Sequence, residues 1–113
     1  MIGQGQLGRV VGSTDICIPA GGSVTDAELY VPECDARRIR VLNVSTGALV
    51  RDIVGDAQLS NSLYDVLIST TGPQGTPELY VCDFGNDRIA VLDPMTGAHI
   101  RSIGRGRGAG MFY

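Results

Sequence analysis

The chain repeats itself at an offset of 50 residues. Of the 26 residues from 28 to 53, 13 are identical to the residue 50 positions later, without a gap. The first matching block, Glu28-Leu29-Tyr30-Val31, returns as Glu78-Leu79-Tyr80-Val81. Self-similarity at one fixed offset is the signature of a repeat architecture, in which each copy forms one supersecondary unit. The chain is therefore predicted to contain two copies of one structural motif.

Each copy is predicted to form four short antiparallel strands. Apolar runs such as 79–82 and 88–92 are separated by the clusters 83–87 and 93–97, which contain Asp, Asn, Gly and Pro. These residues favour turns because they supply local hydrogen bonds, positive φ or a fixed φ. The predicted strands are 15–18, 28–32, 38–43 and 48–53 in the first copy, and 65–69, 78–82, 88–93 and 98–103 in the second.

The length and patterning of each copy predict an all-β fold. Four strands in about 50 residues is the size of one β-propeller blade. The first three strands are apolar at both parities, as in 66–68, which is typical of sheets covered on both faces, whereas the fourth, as in 49–53, alternates and is expected at the rim. We predict two four-stranded antiparallel propeller blades, a partial β-propeller. A two-sheet sandwich is the alternative, but it would show alternation in most strands.

The repeat divides the chain into three segments. Residues 1–12 are interpreted as a Gly-rich inter-blade connector, 13–62 as the first blade, and 63–113 as the second blade with a Gly-rich C-terminal connector. Two blades cannot close a ring, which needs roughly four to eight. Further blades or self-association are therefore expected to complete it, and the sequence leaves open whether the chain is a fragment or a self-assembling subunit.

The second copy resembles an NHL repeat. The resemblance covers 79–112: an apolar strand, Asp83, a Gly-Asn turn, Arg-Ile, a third strand, a Gly turn and a connector with glycines at alternate positions. The first copy departs from this pattern, because 32–37 lack the Gly-Asn turn and 54–61 lack most connector glycines. The resemblance implies a β-propeller, usually of roughly six blades, that serves mostly as a binding platform for protein and sometimes for RNA. A minority of such proteins are lyases or hydrolases.

These observations predict a non-enzymatic protein-interaction scaffold that binds a partner through loops at one rim. No catalytic residue, cofactor or metal is predicted. The net charge of −3 and the pI near 4.9 do not favour binding to nucleic acid or to an anionic membrane. One alternative is an RNA-binding module that uses Arg9, Arg105 and Arg107 of the Gly-rich connectors. Another is a fragment of a propeller enzyme that lacks its catalytic blades.

An acidic residue and an arginine recur at the same separation in both copies. Asp83 and Arg88 in the second copy correspond to Glu33 and Arg38 in the first. We interpret them as structural ion pairs that brace each hairpin, within salt-bridge reach of one another. A ligand-binding pair is the alternative interpretation.

Two aspartates and the histidine are candidate metal-binding residues, but we interpret them as structural or surface residues. Asp15 and Asp65 open the first strand of each copy, near the axis of a propeller, where carboxylates could contribute to a Ca²⁺ site. Without further oxygen ligands, they are interpreted as acceptors of backbone N–H groups. His99 is the only histidine, and it is predicted to be a surface residue on the fourth strand.

The cysteines and the hydropathy constrain the compartment. Cys17, Cys34 and Cys82 lack metal-type spacing and are interpreted as reduced structural thiols, which favours a cytoplasmic location. The sequence contains no run of about 18 apolar residues, so no membrane-spanning helix is predicted.

Two sheets alone are not expected to bury all the apolar strand residues. One face of each sheet is expected to pack against the other copy, which leaves the second face of each sheet exposed. We therefore expect the 113-residue chain not to be a stable monomer. It should form a closed oligomer, with a trimer favoured, or aggregate. The residues concerned are Ile16, Ile18, Val31, Val41, Val66, Ile68, Val81 and Val91.

Overall fold

A computed structural model describes residues 12–19, 22–34, 36–54, 59–60, 62–70 and 76–104. Within these residues the chain is all-β, with eight strands and two single-turn 3₁₀ segments, Val24–Asp26 and Phe84–Asn86. The first four strands are β1 (Asp15–Cys17), β2 (Glu28–Glu33), β3 (Arg38–Asn43) and β4 (Leu49–Ile53). The second four are β5 (Leu63–Ser69), β6 (Glu78–Asp83), β7 (Arg88–Leu92) and β8 (His99–Ile103).

All eight predicted strands are present, and their ends differ from the predicted ones by no more than two residues. The largest difference is at β5, which begins at Leu63. A register irregularity between Leu63 and Val66 lets the pairing with β6 continue, so that Leu63 lies opposite Asp83.

The strands form two four-stranded antiparallel sheets of identical topology. The first sheet has the order β1-β2-β3-β4 and the second β5-β6-β7-β8. Each also carries a register shift at the same place, between Val41 and Leu42 in the first sheet and between Val91 and Leu92 in the second. The repeated sequence thus folds into a repeated meander.

The turn before the fourth strand shows how the repeated residues specify the structure. The Oδ1 atom of Asn43 accepts a hydrogen bond from the Thr46 N–H at 2.9 Å, and that of Asp93 accepts from the Thr96 N–H at 3.1 Å. The next residue in each copy, Gly47 or Gly97, has a φ of 77° or 80°. Glycine is favoured there because a side chain is strained at positive φ.

The two sheets pack through unlike faces. In each sheet, the face that carries Tyr30 or Tyr80 is here called the tyrosine face, and the opposite face, which carries Leu29 or Leu79, the leucine face. The core joins the tyrosine face of the first sheet to the leucine face of the second. Its members from the strands are Tyr30, Ile39, Val41 and Ile53 of the first sheet, with Leu63, Val66, Leu79, Val81, Ala90 and Leu92 of the second.

This packing leaves two faces that the other sheet does not cover, the leucine face of the first sheet and the tyrosine face of the second. The sequence analysis named eight apolar strand residues that two sheets were not expected to bury completely. Of these, Ile16 and Ile18 are exposed, at 56% and 43%. Val31 and Val91 are buried although they lie on these faces. They occupy central strands, where long side chains on neighbouring strands flank them, as Tyr80 and Arg101 flank Val91.

Burial on both sides, predicted for the first three strands of each copy, does not hold for β1 and β5. Along β5 only Leu63 and Val66 are buried, and no residue of β1 is. Each of these strands pairs with a single neighbour at the edge of its sheet. Their outward side chains therefore lack the flanking neighbours that cover the central strands.

Candidate functional site

An apolar groove lies between the two sheets, at the end where β1 and β5 finish. Its volume is about 490 Å³, and its lining is mostly apolar. The side chains at its mouth include Met95, which is 65% exposed, and Ile18. The other apolar lining residues are Cys17, Pro19, Ile68, Pro77 and Pro94.

One wall of the groove is fixed by an arginine of the first sheet, which forms an ion pair within that sheet and a hydrogen bond to the second copy. Arg51 on β4 donates two hydrogen bonds to the Glu28 carboxylate, each of 3.1 Å, and one to the Tyr30 hydroxyl at 2.9 Å. Its Nε also donates to the Pro94 carbonyl of the second sheet at 2.8 Å. Arg51 therefore holds the turn that carries Pro94 and Met95 against the first sheet.

The polar groups of the groove are held in their neutral or paired forms. Burial raises the pKa of Tyr30 well above its ordinary value, with Arg51 opposing and Glu28 reinforcing the shift. Burial also raises the pKa of the Cys17 thiol, and the charge of Glu28 adds to the effect. Near neutral pH both groups are protonated, so they provide surface and hydrogen bonds rather than a nucleophile or a base.

The sequence-predicted pair Asp83 and Arg88 lies at the opposite end of the second sheet, away from the groove. Arg88 Nε is 3.0 Å from Asp83 Oδ2, and Asn86 Nδ2 donates to the same oxygen at 2.8 Å. The other oxygen of Asp83 accepts from the Ser60 N–H and hydroxyl, at 3.1 and 2.6 Å. Asp83 is fully buried. It joins the segment between the sheets to the β6–β7 hairpin.

The corresponding pair in the first sheet is also in contact. Arg38 Nε binds the Glu33 carboxylate, which is fully buried. Arg38 and Arg40 further approach Asp52 on β4, at 3.7 and 3.0 Å. In both copies the acidic partner has no exposed surface, so a ligand could not reach the carboxylate without opening the sheet.

Asp15 and Asp65 each accept a backbone hydrogen bond from the other copy. Asp15 Oδ2 accepts from the Ile68 N–H at 2.9 Å, and Asp65 Oδ1 accepts from the Ser13 N–H at 2.8 Å. Among the described residues, no three His, Cys, Asp or Glu side chains gather in a way that could hold a metal ion.

His99 is not among the residues that line the groove. His99 is exposed on β8, with Nε2 2.9 Å from Ser102 Oγ. Arg9, Arg105 and Arg107, the candidates for RNA contact, lie outside the described residues.

Two features were missed by the sequence interpretation. The groove was not predicted, although Pro94 and Met95 stand where the first copy has Val44 and Ser45, a difference that marks this turn as distinct. The second feature is an exposed aromatic pair at the far end of the second sheet. Tyr64 and Phe84 stack with their ring centroids 5.4 Å apart.

The fold and the groove define an all-β repeat protein of two four-stranded antiparallel sheets with an apolar inter-sheet groove. No protein-family model, curated protein or solved structure gives a match to the chain. None of the helical segments within the described ranges has the length and hydropathy of a membrane span.

Proposed function

We propose that this chain is part of an NHL-type β-propeller that acts as a non-enzymatic protein-interaction scaffold. Support for the propeller comes from the NHL-like residues of the second copy and from the two four-stranded meanders. The packing of a tyrosine face on a leucine face adds to this support, because such a contact can be repeated from sheet to sheet around an axis.

The observation that carries the binding function is the inter-sheet groove. It combines a volume of about 490 Å³ with apolar walls and with large apolar side chains exposed at its mouth. Concave apolar surfaces of this kind are the usual sites of recognition. Met95 is suited to such a surface because its unbranched, polarizable side chain adapts to different contacts.

The polar groups beside the groove indicate the chemistry of the partner. The Glu28 carboxylate already binds Arg51 and Tyr30, and the Pro94 carbonyl accepts from Arg51. A basic side chain would have to displace these hydrogen bonds to reach Glu28. The groove is therefore proposed to bind an extended, mainly apolar segment of a partner protein.

A random peptide library displayed on phage tests this proposal. Peptides selected on the unmodified chain are expected to be rich in apolar residues and to bind the Met95→Asp variant at least about tenfold more weakly, since a charge would enter an apolar contact. The matched control is Phe84→Ser, which removes an exposed apolar side chain at the opposite end of the second sheet. This control should leave the affinity unchanged.

Two outcomes contradict the proposal. One is a selection that enriches no peptide, and the other is a set of peptides that bind the unmodified chain and Met95→Asp equally well. If no peptide is enriched while a mixed-sequence RNA oligonucleotide is retained in a salt-dependent manner, the RNA-binding alternative is favoured instead.

A further inference from the structure

The internal contact between the sheets uses two kinds of face, and one of each kind is left over. The tyrosine face of the first sheet is packed against the leucine face of the second. The leucine face of the first sheet and the tyrosine face of the second are not covered by the other sheet in the part of the chain that the structure describes. The unused faces are therefore the counterparts of the two that already fit together.

We propose that the tyrosine face of the second sheet binds the leucine face of the first sheet in a second copy of this chain. The contact between molecules would repeat the contact within the molecule. Such an interface is heterologous: it joins different surfaces and generates a ring if the rotation closes, or an open assembly if it does not. The inference rests on the internal packing and does not require the groove to bind a peptide.

The tyrosine face of the second sheet offers apolar surface for this contact. Leu67 on β5 is 60% exposed, and Ile103 on β8 is 43% exposed. Leu67, Tyr80 and Ile89 line a shallow depression of about 380 Å³ on the same face. The corresponding surface of the first sheet, around Tyr30 and Ile39, is buried in the core against the second sheet.

The leucine face of the first sheet offers the complementary surface. Ile16 on β1 is 56% exposed, and Leu49 on β4 is 46% exposed. The register places Ile16 opposite Leu29, and Leu42 opposite Leu49, so these side chains share one face. Ile16 corresponds to Val66, which lies in the core, whereas Leu49 corresponds to His99, which is exposed on β8.

A polar contact of the internal interface has its own counterpart. Within the molecule, Arg51 pairs with Glu28 and directs its Nε to the Pro94 carbonyl. Arg101, 50 positions later, makes the same paired contact with Glu78, at 2.9 and 3.0 Å. By the repeat, Arg101 Nε would donate to the Val44 carbonyl of the second copy, since Val44 corresponds to Pro94.

One difference between the copies makes the contact between molecules weaker than the internal one. Arg40 stands at the position of Ala90, which is fully buried in the core, and Asp52 stands at the position of Ser102. Arg40 and Asp52 form an ion pair of 3.0 Å on the leucine face of the first sheet. Covering this pair removes charges from water, which opposes association.

Sedimentation velocity over a range of concentrations tests the proposal. The unmodified chain is expected to self-associate. Leu67→Glu blocks one face and Ile16→Glu blocks the other, so each variant should raise the dissociation constant by at least about tenfold. Mixed in equal amounts, the two variants should form a heterodimer, because each keeps the face that the other has lost.

Further variants sharpen the test. The double variant Arg40→Ala, Asp52→Ser gives the leucine face of the first sheet the residues of the second sheet at these two positions, and is expected to tighten association by at least about tenfold. Phe84→Glu replaces an exposed side chain away from both faces and should leave the dissociation constant unchanged. If either blocking variant fails to fold, as judged by circular dichroism, Ile103→Glu and Leu49→Glu provide a second blocking pair.

Two results overturn the proposal. The first is an unmodified chain that stays monomeric at every concentration. The second is a mixture of folded blocking variants that forms no heterodimer. The proposed contact joins two different faces, and each variant keeps one of them, so mixing must restore the contact if the proposal is right.

Discussion

At the scale of single residues, the repeated acid–arginine pairs have structural partners that differ between the copies. Asp83 accepts hydrogen bonds from Ser60, Asn86 and Arg88. Glu33 binds Arg38, with Arg40 at 4.0 Å. Both carboxylates are fully buried, so their contribution is to the stability of the sheets rather than to an accessible site.

Replacing Arg88 with Met is expected to lower the free energy of unfolding by about 1–3 kcal/mol, because Asp83 loses a charged partner but keeps its other donors. Urea denaturation measures the loss. The affinity of a groove-selected peptide should not change, since Arg88 lies at the opposite end of the sheet. A loss of peptide binding in a folded Arg88→Met variant would contradict the structural role.

The Glu78–Arg101 pair predicts a pH dependence of stability. The hydrogen bonds from Arg101 and from Tyr80 lower the pKa of Glu78 below its ordinary value of 4.5, and burial opposes them. A carboxyl group whose pKa is lower in the folded state stabilises that state at every pH above the group's pKa in the unfolded chain. The contribution is lost as the pH falls through the folded value.

A double-mutant cycle of Glu78→Gln and Arg101→Gln tests this dependence by urea denaturation. The coupling between the two residues should be present at neutral pH and should vanish well below pH 4.5. A coupling that stays constant across this range would show that the ionised carboxylate is not what binds Arg101.

At the scale of the elements, the turns before β4 and β8 are the most closely repeated parts of the structure. In both, an Asn or Asp side chain accepts from the Thr N–H, and the Thr hydroxyl accepts from the Ala N–H two residues on, at 3.1 or 3.2 Å. The glycine between them has a positive φ. These local contacts explain why the Thr-Gly-Ala triplet returns in both copies.

Replacing Gly97 with Ala is expected to reduce the free energy of unfolding by about 1–2 kcal/mol, because its φ of 80° strains an L side chain. Gly47→Ala should cause a similar loss. Ser45→Ala is the control, as Ser45 is an exposed residue of the same kind of turn, and its effect should stay within about 0.5 kcal/mol. Thermal denaturation of the three variants gives the comparison, and equal effects of all three would exclude the backbone explanation.

At the scale of the whole molecule, the two sheets share one core. The largest inter-sheet contacts join β2 and β1 to β5, and Leu59, in the segment between the sheets, is buried in the same cluster. Because this cluster draws its residues from both sheets, both are expected to unfold together.

Leu79→Ala in the second sheet should cost about 2–5 kcal/mol, since it removes a fully buried side chain from the shared core. Hydrogen exchange should then show reduced protection in β3 of the first sheet as well as in β6. The control is Ile100→Ala, whose side chain is exposed on β8 and lies outside the shared core. A loss of protection confined to the second sheet would mean that the sheets are independent units.

The sequence by itself determined the local structure of this protein. The Thr-Gly-Ala turns and the apolar runs between them set where the strands lie, since turn conformation and strand patterning depend on neighbouring residues. The acid–arginine pairs were also predictable, because Asp83 and Arg88 face each other across a short hairpin.

The tertiary structure alone decided which faces of the sheets meet and where the groove lies. In each sheet both faces are apolar, so the patterning does not select between them. Only the packing shows that Tyr30 is in the core while Tyr80 lies on a face that the first sheet does not cover. The groove depends on Cys17, Ile68 and Met95 converging from separate strands and turns. Contacts between residues distant in the sequence arise from how the sheets fit together, and no local pattern records that fit.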